Sequence, residues 1–530
     1  MTTKRKFYIL SVLITVCVSM WAVPARREGR MMVDANGVTK IVYAHGDENL
    51  HFLTDEAGNR LDEKTLLPMT EEIKGERQKV KGERTVRRAT KVTGVDRLLA
   101  PRGPVILVSF SDTIFQSTKA DMTDWAMGEN YTYGGATGSI NRYFNDVSNG
   151  QYDLVLDVFG PVQVSKACAY YGSNDQHRND LHPDELVVEA CQLAAEQDGA
   201  DFSQYDSDGD GKVDFVVIIY AGYSEADNYP NMPNTIWPHQ DDLSLRGSTI
   251  TLNGKTIDHY CCLNEIDGES HDRCGIGTFC HEFGHIMGLP DIYSTAEGAN
   301  FKTLGEWDIM DYGCYNNGGN TPPAYSAYER WWMGWMEPTL LNQAASVTLG
   351  PLYDSYKAAY LTTNGDTITN ILRPNPTVFY MLENRQQTGW DEFIPGHGLL
   401  VTQISYHYNW WRGNTVNYTS TQMGIDIMEA DGLTPTYKQD NHFNGYFGKQ
   451  GDAYPTATVT SFTQVSDYPV TNIKETNGVI TFDVLGGGEE IPLETISTQP
   501  SEVSSRKILR DGQILIIRND KLYDITGRQL

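Results

Sequence analysis

The chain has no basic excess. Its 530 residues hold 42 Lys and Arg against 69 Asp and Glu, a net charge of −27, and the sequence pI is near 4.8. A nucleic-acid binder presents a basic face, so this balance argues against that class and suits a soluble exported protein. Beyond the first 25 residues no apolar run is long enough to cross a membrane. Residues 26–100 contain no cysteine, which excludes latency through a propeptide thiol. The cysteines present match no zinc-finger spacing, and there is no internal repeat.

The most informative stretch is residues 281–291, HEFGHIMGLPD. Two histidines four apart lie on one helix face, so His281 and His285 can bind one metal ion. Glu282 follows the first ligand directly and is placed as general base on a metal-bound water without being a ligand itself. Gly288 lets the chain leave the helix, and Pro290 prevents its resumption. Asp291 falls where an extended motif of the metzincin type has its third ligand. Three protein ligands with an open fourth position describe a catalytic zinc site rather than a structural one. Downstream, residues 306–313 read EWDIMDYG. Met310 fits the methionine turn that lies beneath such a site; the plainer reading is a core methionine. Tyr312 is a candidate for the metal or the substrate oxyanion, or else a half-buried structural tyrosine.

HEFGHIMGLPDIY followed by WDIMDYG resembles the immune inhibitor A family of secreted bacterial metallopeptidases. GPVILVSFSD at 103–112 resembles that family's opening strand, and LENRQ at 382–386, GWD at 389–391 and PGHG at 395–398 resemble its later signature. The resemblance covers residues 101–460 and implies a zinc endopeptidase acting on proteins. Position 291 is Asp where most metzincins have His, and a carboxylate is a legitimate zinc ligand.

A second metal site is expected in the loop Asp206-Ser207-Asp208-Gly209-Asp210-Gly211-Lys212-Val213-Asp214. Asp206, Asp208, Asp210, Lys212 and Asp214 take loop positions one, three, five, seven and nine of a calcium loop, with glycine at six. Position twelve is Val217 rather than glutamate, so this is not a full EF-hand, and the calcium is expected to be structural. The alternative is a solvated acidic turn.

The expected organisation is α+β: a metzincin-like zinc protease catalytic domain, then a β-rich, sandwich-like domain. Residues 1–25 read as a signal peptide, with Lys4, Arg5 and Lys6 before an apolar run at 7–22. Cleavage is expected after Ala22 or Ala25. Residues 26–100 read as a propeptide, with short strands at 38–43 and 51–53 and a charged linker at 71–88. Arg87, Arg88, Arg97 and Arg102 are sites for a trypsin-like protease. A small accessory domain that is never removed is the alternative. His45 or Asp47 is a candidate to cap the zinc.

Residues 101–340 form the catalytic domain, with helices expected at 139–147, 183–196, 276–287 and 324–336 and a buried strand at 213–220. Residues 341–486 form the β-rich domain and 487–505 a linker. Residues 506–530 resemble the C-terminal sorting tails of exported Bacteroidetes proteins, or make a plain hairpin. Seven cysteines remain once Cys17 leaves with the signal. In an exported chain they are expected to be disulfide-bonded, with one left over.

The sequence therefore points to a secreted, monomeric zinc endopeptidase with protein or peptide substrates and a latent precursor. Two other readings stay open: a narrow-specificity, glycoprotein-directed processing protease, and a surface adhesin.

Overall fold

The computed structural model describes residues 21–26, 29–47, 50–69, 101–175, 179–227, 234–296, 301, 303–432, 449–494, and the strands between 505 and 523. The expected export signal up to residue 20, the expected linker at 71–88 and the expected cut sites Arg87, Arg88 and Arg97 lie outside the described residues.

The strand Val216–Tyr220 is buried at every position. Such a run must be covered on both faces, which places it inside a sheet flanked by helices. It pairs in parallel with Arg102–Ser109 and with His259–Asn264. Val155–Gln163 extends the sheet on one side. On the other side His239–Asp242 runs antiparallel to His259–Asn264, and onto this edge strand a two-residue strand, Trp21–Ala22, adds antiparallel. The helices Lys119–Met127, Ile140–Val147, Pro183–Gln197 and Gly277–Ile286 form as local chemistry directs. Thr118 and Asp121 make a capping box, and the Ser139 hydroxyl caps the second helix. The helix expected over 324–336 is only Ala327–Trp332. Pro322 and Pro323 disfavour helical backbone just before it, and Gly334, at φ 77°, turns the chain away just after it.

Residues 30–61 form a separate four-stranded antiparallel sheet. The C-terminal half holds a five-stranded sheet centred on Val378–Arg385 and Gly398–Ser405, and a four-stranded sheet that includes Ala345–Leu349 and Val479–Val484. Val347, Leu361, Leu382, Val401 and Phe482 from both sheets share a second core. The four-stranded sheet also takes in Glu489–Leu493, beyond the expected end at 486, because Leu493 buries against that core. Three strands, Ser505–Arg510, Gln513–Arg518 and Lys521–Tyr523, close the described chain, one more than a hairpin. Among the described residues no helix is long and apolar enough to cross a membrane.

The main core crosses residue 340, joining Val216 and Phe283 to Phe379, Leu400 and Ile425. A buried ionic clamp crosses there too. Arg385 donates to both oxygens of Asp391, at 2.8 and 2.7 Å, and to Glu383 at 3.2 Å. Those carboxylates also accept the main-chain N–H groups of Ala324 and Ala327, at 2.9 and 2.6 Å. The LENR and GWD segments therefore fasten the β-rich half to the start of the short helix and the loop before it.

The expected disulfide bonding is not found. Cys168, Cys191, Cys261, Cys262, Cys274, Cys280 and Cys314 are all free, and all but Cys274 are buried. Cys261 and Cys262 are successive residues of one strand and face opposite sides. These thiols fill the core as small apolar side chains, a role that compartment alone does not reveal.

Candidate active site

Gly284 lies on the helix Gly277–Ile286, which carries both histidines. An added Cβ at Gly284 would lie 2.5 Å from Met310 Sδ, so Gly284 is what lets the methionine turn reach the helix. That turn then does chemical service. The Ile309 carbonyl accepts a hydrogen bond from His281 Nδ1 at 2.7 Å, and the Leu289 carbonyl accepts from His285 Nδ1 at 2.9 Å. With both protons held on Nδ1, each Nε2 keeps its lone pair, the form an imidazole ligand needs. Gly288, at φ 90°, makes the turn that returns the chain to Asp291. Asp291 Oδ1 lies 3.1 Å from His281 Nε2 and 3.3 Å from His285 Nε2. Donor atoms about 2.0–2.1 Å from a tetrahedral zinc stand about 3.3–3.4 Å apart, so the donor set fits the ion. Burial opposes ionisation of Asp291, and the two imidazoles more than offset it, holding the carboxyl well below its usual range.

Glu282 is fully buried on the same helix turn. Its Oε1 accepts from the Val23 main-chain N–H at 2.7 Å, while Oε2 is buried without a hydrogen-bond partner among the described residues. Burial, then the neighbouring Asp291 carboxylate, pushes its carboxyl well above the ordinary value. A bound cation acts in the opposite sense.

Comparison with known proteins points the same way as this geometry. Residues 109–336 match the catalytic-domain model of immune inhibitor A peptidase M6. This stretch is similar to that family's catalytic domain. Over 228 residues the chain is 29% identical to the pre-pro-metalloprotease PrtV of Vibrio cholerae serotype O1, covering 38% of this chain and 24% of that protein. It is 26% identical over 216 residues to immune inhibitor A of Bacillus thuringiensis subsp. alesti, covering 36% of this chain and 30% of that protein. The chain thus spans less than a third of the length of either relative.

Two residues at the site have no counterpart in the sequence reading. Tyr293 stacks its ring on His281 at 6.4 Å between centroids, and its hydroxyl donates to the Ala22 carbonyl at 2.6 Å. Tyr312 stands behind it, ring to ring at 6.3 Å. Tyr293 lies only two residues past Asp291, so its proximity to the ligands was a usable signal. The second is Asn414, from the β-rich half. Its Oδ1 accepts from the Asp291 N–H at 2.7 Å, and its Nδ2 donates to Asp291 Oδ2. No local pattern marks it.

The acidic loop brings carboxylate oxygens of Asp206, Asp208 and Asp210 within 4.8 Å of one another. Lys255 Nζ pairs with Asp206 at 2.6 Å, Asp214 accepts from the Ser207 N–H at 3.1 Å, and the Lys212 ammonium turns to Asp258 at 3.2 Å. In the four-stranded sheet at 30–61, His45 Nε2 lies 2.8 Å from Thr54 Oγ1. Neither His45 nor Asp47 joins the metal-binding group.

Proposed function

We propose that the chain is a secreted zinc endopeptidase, made as a latent precursor, that cuts protein substrates. The observation that carries this reading is the convergence of two Nδ1-protonated imidazoles and one carboxylate beside a buried glutamate. His281, His285 and Asp291 would hold a zinc ion, which when bound would supply Lewis acidity toward the scissile carbonyl and lower the pKa of water. Glu282 takes the proton of the attacking water and hands it to the leaving amine. The Tyr293 hydroxyl, already a donor to a peptide carbonyl, supports the charge that grows on the carbonyl oxygen; Tyr312 backs the Tyr293 ring. Secretion is supported by the basic and apolar opening of the sequence. Latency is supported by the N-terminal segment that lies against Glu282. The same reading assigns a structural calcium ion to the loop at 206–214, supported by its converging carboxylates; added calcium should raise the melting temperature and Asp208→Asn should abolish that rise.

The deciding test is casein hydrolysis after limited trypsin treatment, with and without 1,10-phenanthroline, alongside Glu282→Gln. Activity should appear on trypsin treatment, vanish with the chelator, and be absent from the variant, which keeps its zinc. Turnover by Glu282→Gln at the wild-type rate would refute the assignment.

A further inference from the structure

The segment 21–26 crosses the site as an extended peptide, in an orientation that a substrate would use. Trp21 and Ala22 lie opposite Gln240 and His239 on the edge strand. The Ala22 carbonyl accepts from Tyr293, and the Val23 nitrogen donates to Glu282. Under the proposed chemistry, these are the positions of the attacked carbonyl and of the leaving amine. The chain beyond Val23 is then the leaving-group side. It is held at every step: Trp237 Nε1 donates to the Val23 carbonyl at 2.9 Å, Tyr315 donates to the Pro24 carbonyl at 2.7 Å, and the Arg26 N–H donates to the Ala226 carbonyl at 3.0 Å.

The Arg26 side chain ends in a built pocket. Its guanidinium pairs with Asp227 at 3.0 Å, with Asp267, and with Glu269 at 3.4 Å. The Tyr315 ring lies 4.8 Å beneath it. Asp227 and Asp267 are buried, as is Arg26 itself, while Glu269 stands at the exposed rim. Two buried carboxylates need a cation to offset their mutual repulsion. When Arg26 leaves, the groove needs another.

We propose that this pocket is a substrate subsite for a basic side chain, arginine above lysine, at the fourth residue on the leaving-group side of the cut. Arg26 fills it in the precursor. The planar guanidinium meets two carboxylates and an aromatic face, a set that an ammonium matches less well. The inference rests on the peptidase reading for the direction of the groove. Of the two expected signal cleavage points, the one after Ala22 would leave Val23 as an amino terminus at Glu282, with Val23 to Arg26 in the groove as a cleaved product would lie.

The test uses the full chain carrying Arg26→Glu, in which charge reversal expels the segment. Fluorescence anisotropy compares C-terminally labelled Val-Pro-Ala-Arg with Val-Pro-Ala-Glu. The arginine peptide should bind on the order of tenfold more tightly, and the wild-type chain, self-filled, should bind neither. Equal affinities for the two peptides would overturn the subsite. If Arg26→Glu does not fold, the wild-type chain after limited trypsin treatment takes its place. A second readout is kcat/KM of the trypsin-treated chain on peptides that differ only at that fourth residue. Preference for Arg over Glu should be about tenfold and should fall below about twofold in Asp267→Asn. Selective binding without any cleavage would keep the subsite and sink the peptidase reading; cleavage with no preference, together with equal binding, would do the reverse.

Discussion

Consider Asn414→Gly. Asn414 sits at φ 51°, a left-handed conformation that glycine adopts freely, so this change removes the side chain and leaves the backbone at ease. What is lost is the pair of hydrogen bonds that fix Asp291, one through its N–H and one through Oδ2. The Asp291 N–H is then buried without its acceptor, at a cost of about 1–3 kcal/mol. The carboxylate relieves that cost by moving, and movement takes it away from the two imidazoles. Loss of an outer partner of a metal ligand lowers affinity about 10–100-fold, or about 1.4–2.8 kcal/mol at 1.4 kcal/mol per decade. Zinc affinity is read by competition with a chromophoric chelator, and folding by circular dichroism. Asn414→Ala is the companion: it loses the same bonds and adds about 1–2 kcal/mol of backbone strain, so it should melt lower without binding zinc any more weakly. A glycine variant that binds zinc within twofold of wild type would show that Asn414 does not position the ligand.

Gly284→Ala drives a methyl group into Met310 and should destabilise the fold by about 1–3 kcal/mol, seen in urea denaturation; an unchanged midpoint would refute the close packing. Arg385→Ala leaves Asp391 and Glu383 buried without their cation and should cost about 3–5 kcal/mol, measured the same way, whereas a loss under 1 kcal/mol would deny the clamp. Stability should also depend on pH with a definite sign. Burial pushes Asp180 up to about 8 and Glu329 up to about 7, whereas the unfolded chain releases these protons near pH 4. The folded state thus holds more protons between about pH 4 and pH 8, and stability falls as pH rises through that window. Thermal midpoints that stay level or climb from pH 5 to pH 8 would contradict this.

The grouping of His281, His285 and Asp291 was legible because it is local: the two histidines and Glu282 share one helix turn, and Gly288 and Asp291 follow within six residues. The apolar strand at 216–220 and the capped helices were legible for the same reason. Asn414 was not, since it lies 123 residues from the ligand it holds and an isolated asparagine carries no period. The cysteines misled because compartment predicts pairing, whereas here all seven are free and six are buried as core side chains. Residues 21–26 were read only for where a signal ends. Their place on the sheet edge depends on Tyr293, Trp237 and Tyr315, three residues scattered along the sequence.

The M6 match stops at residue 336, but the ionic clamp and Asn414 lie at 383–414. A recombination event that exchanged the chain's second half for an unrelated β-sheet would strand Ala324 and Ala327 without their acceptors and leave Asp291 unheld. The unit that must be inherited together is therefore longer than the recognisable motif, because the side chain that holds Asp291 lies outside it.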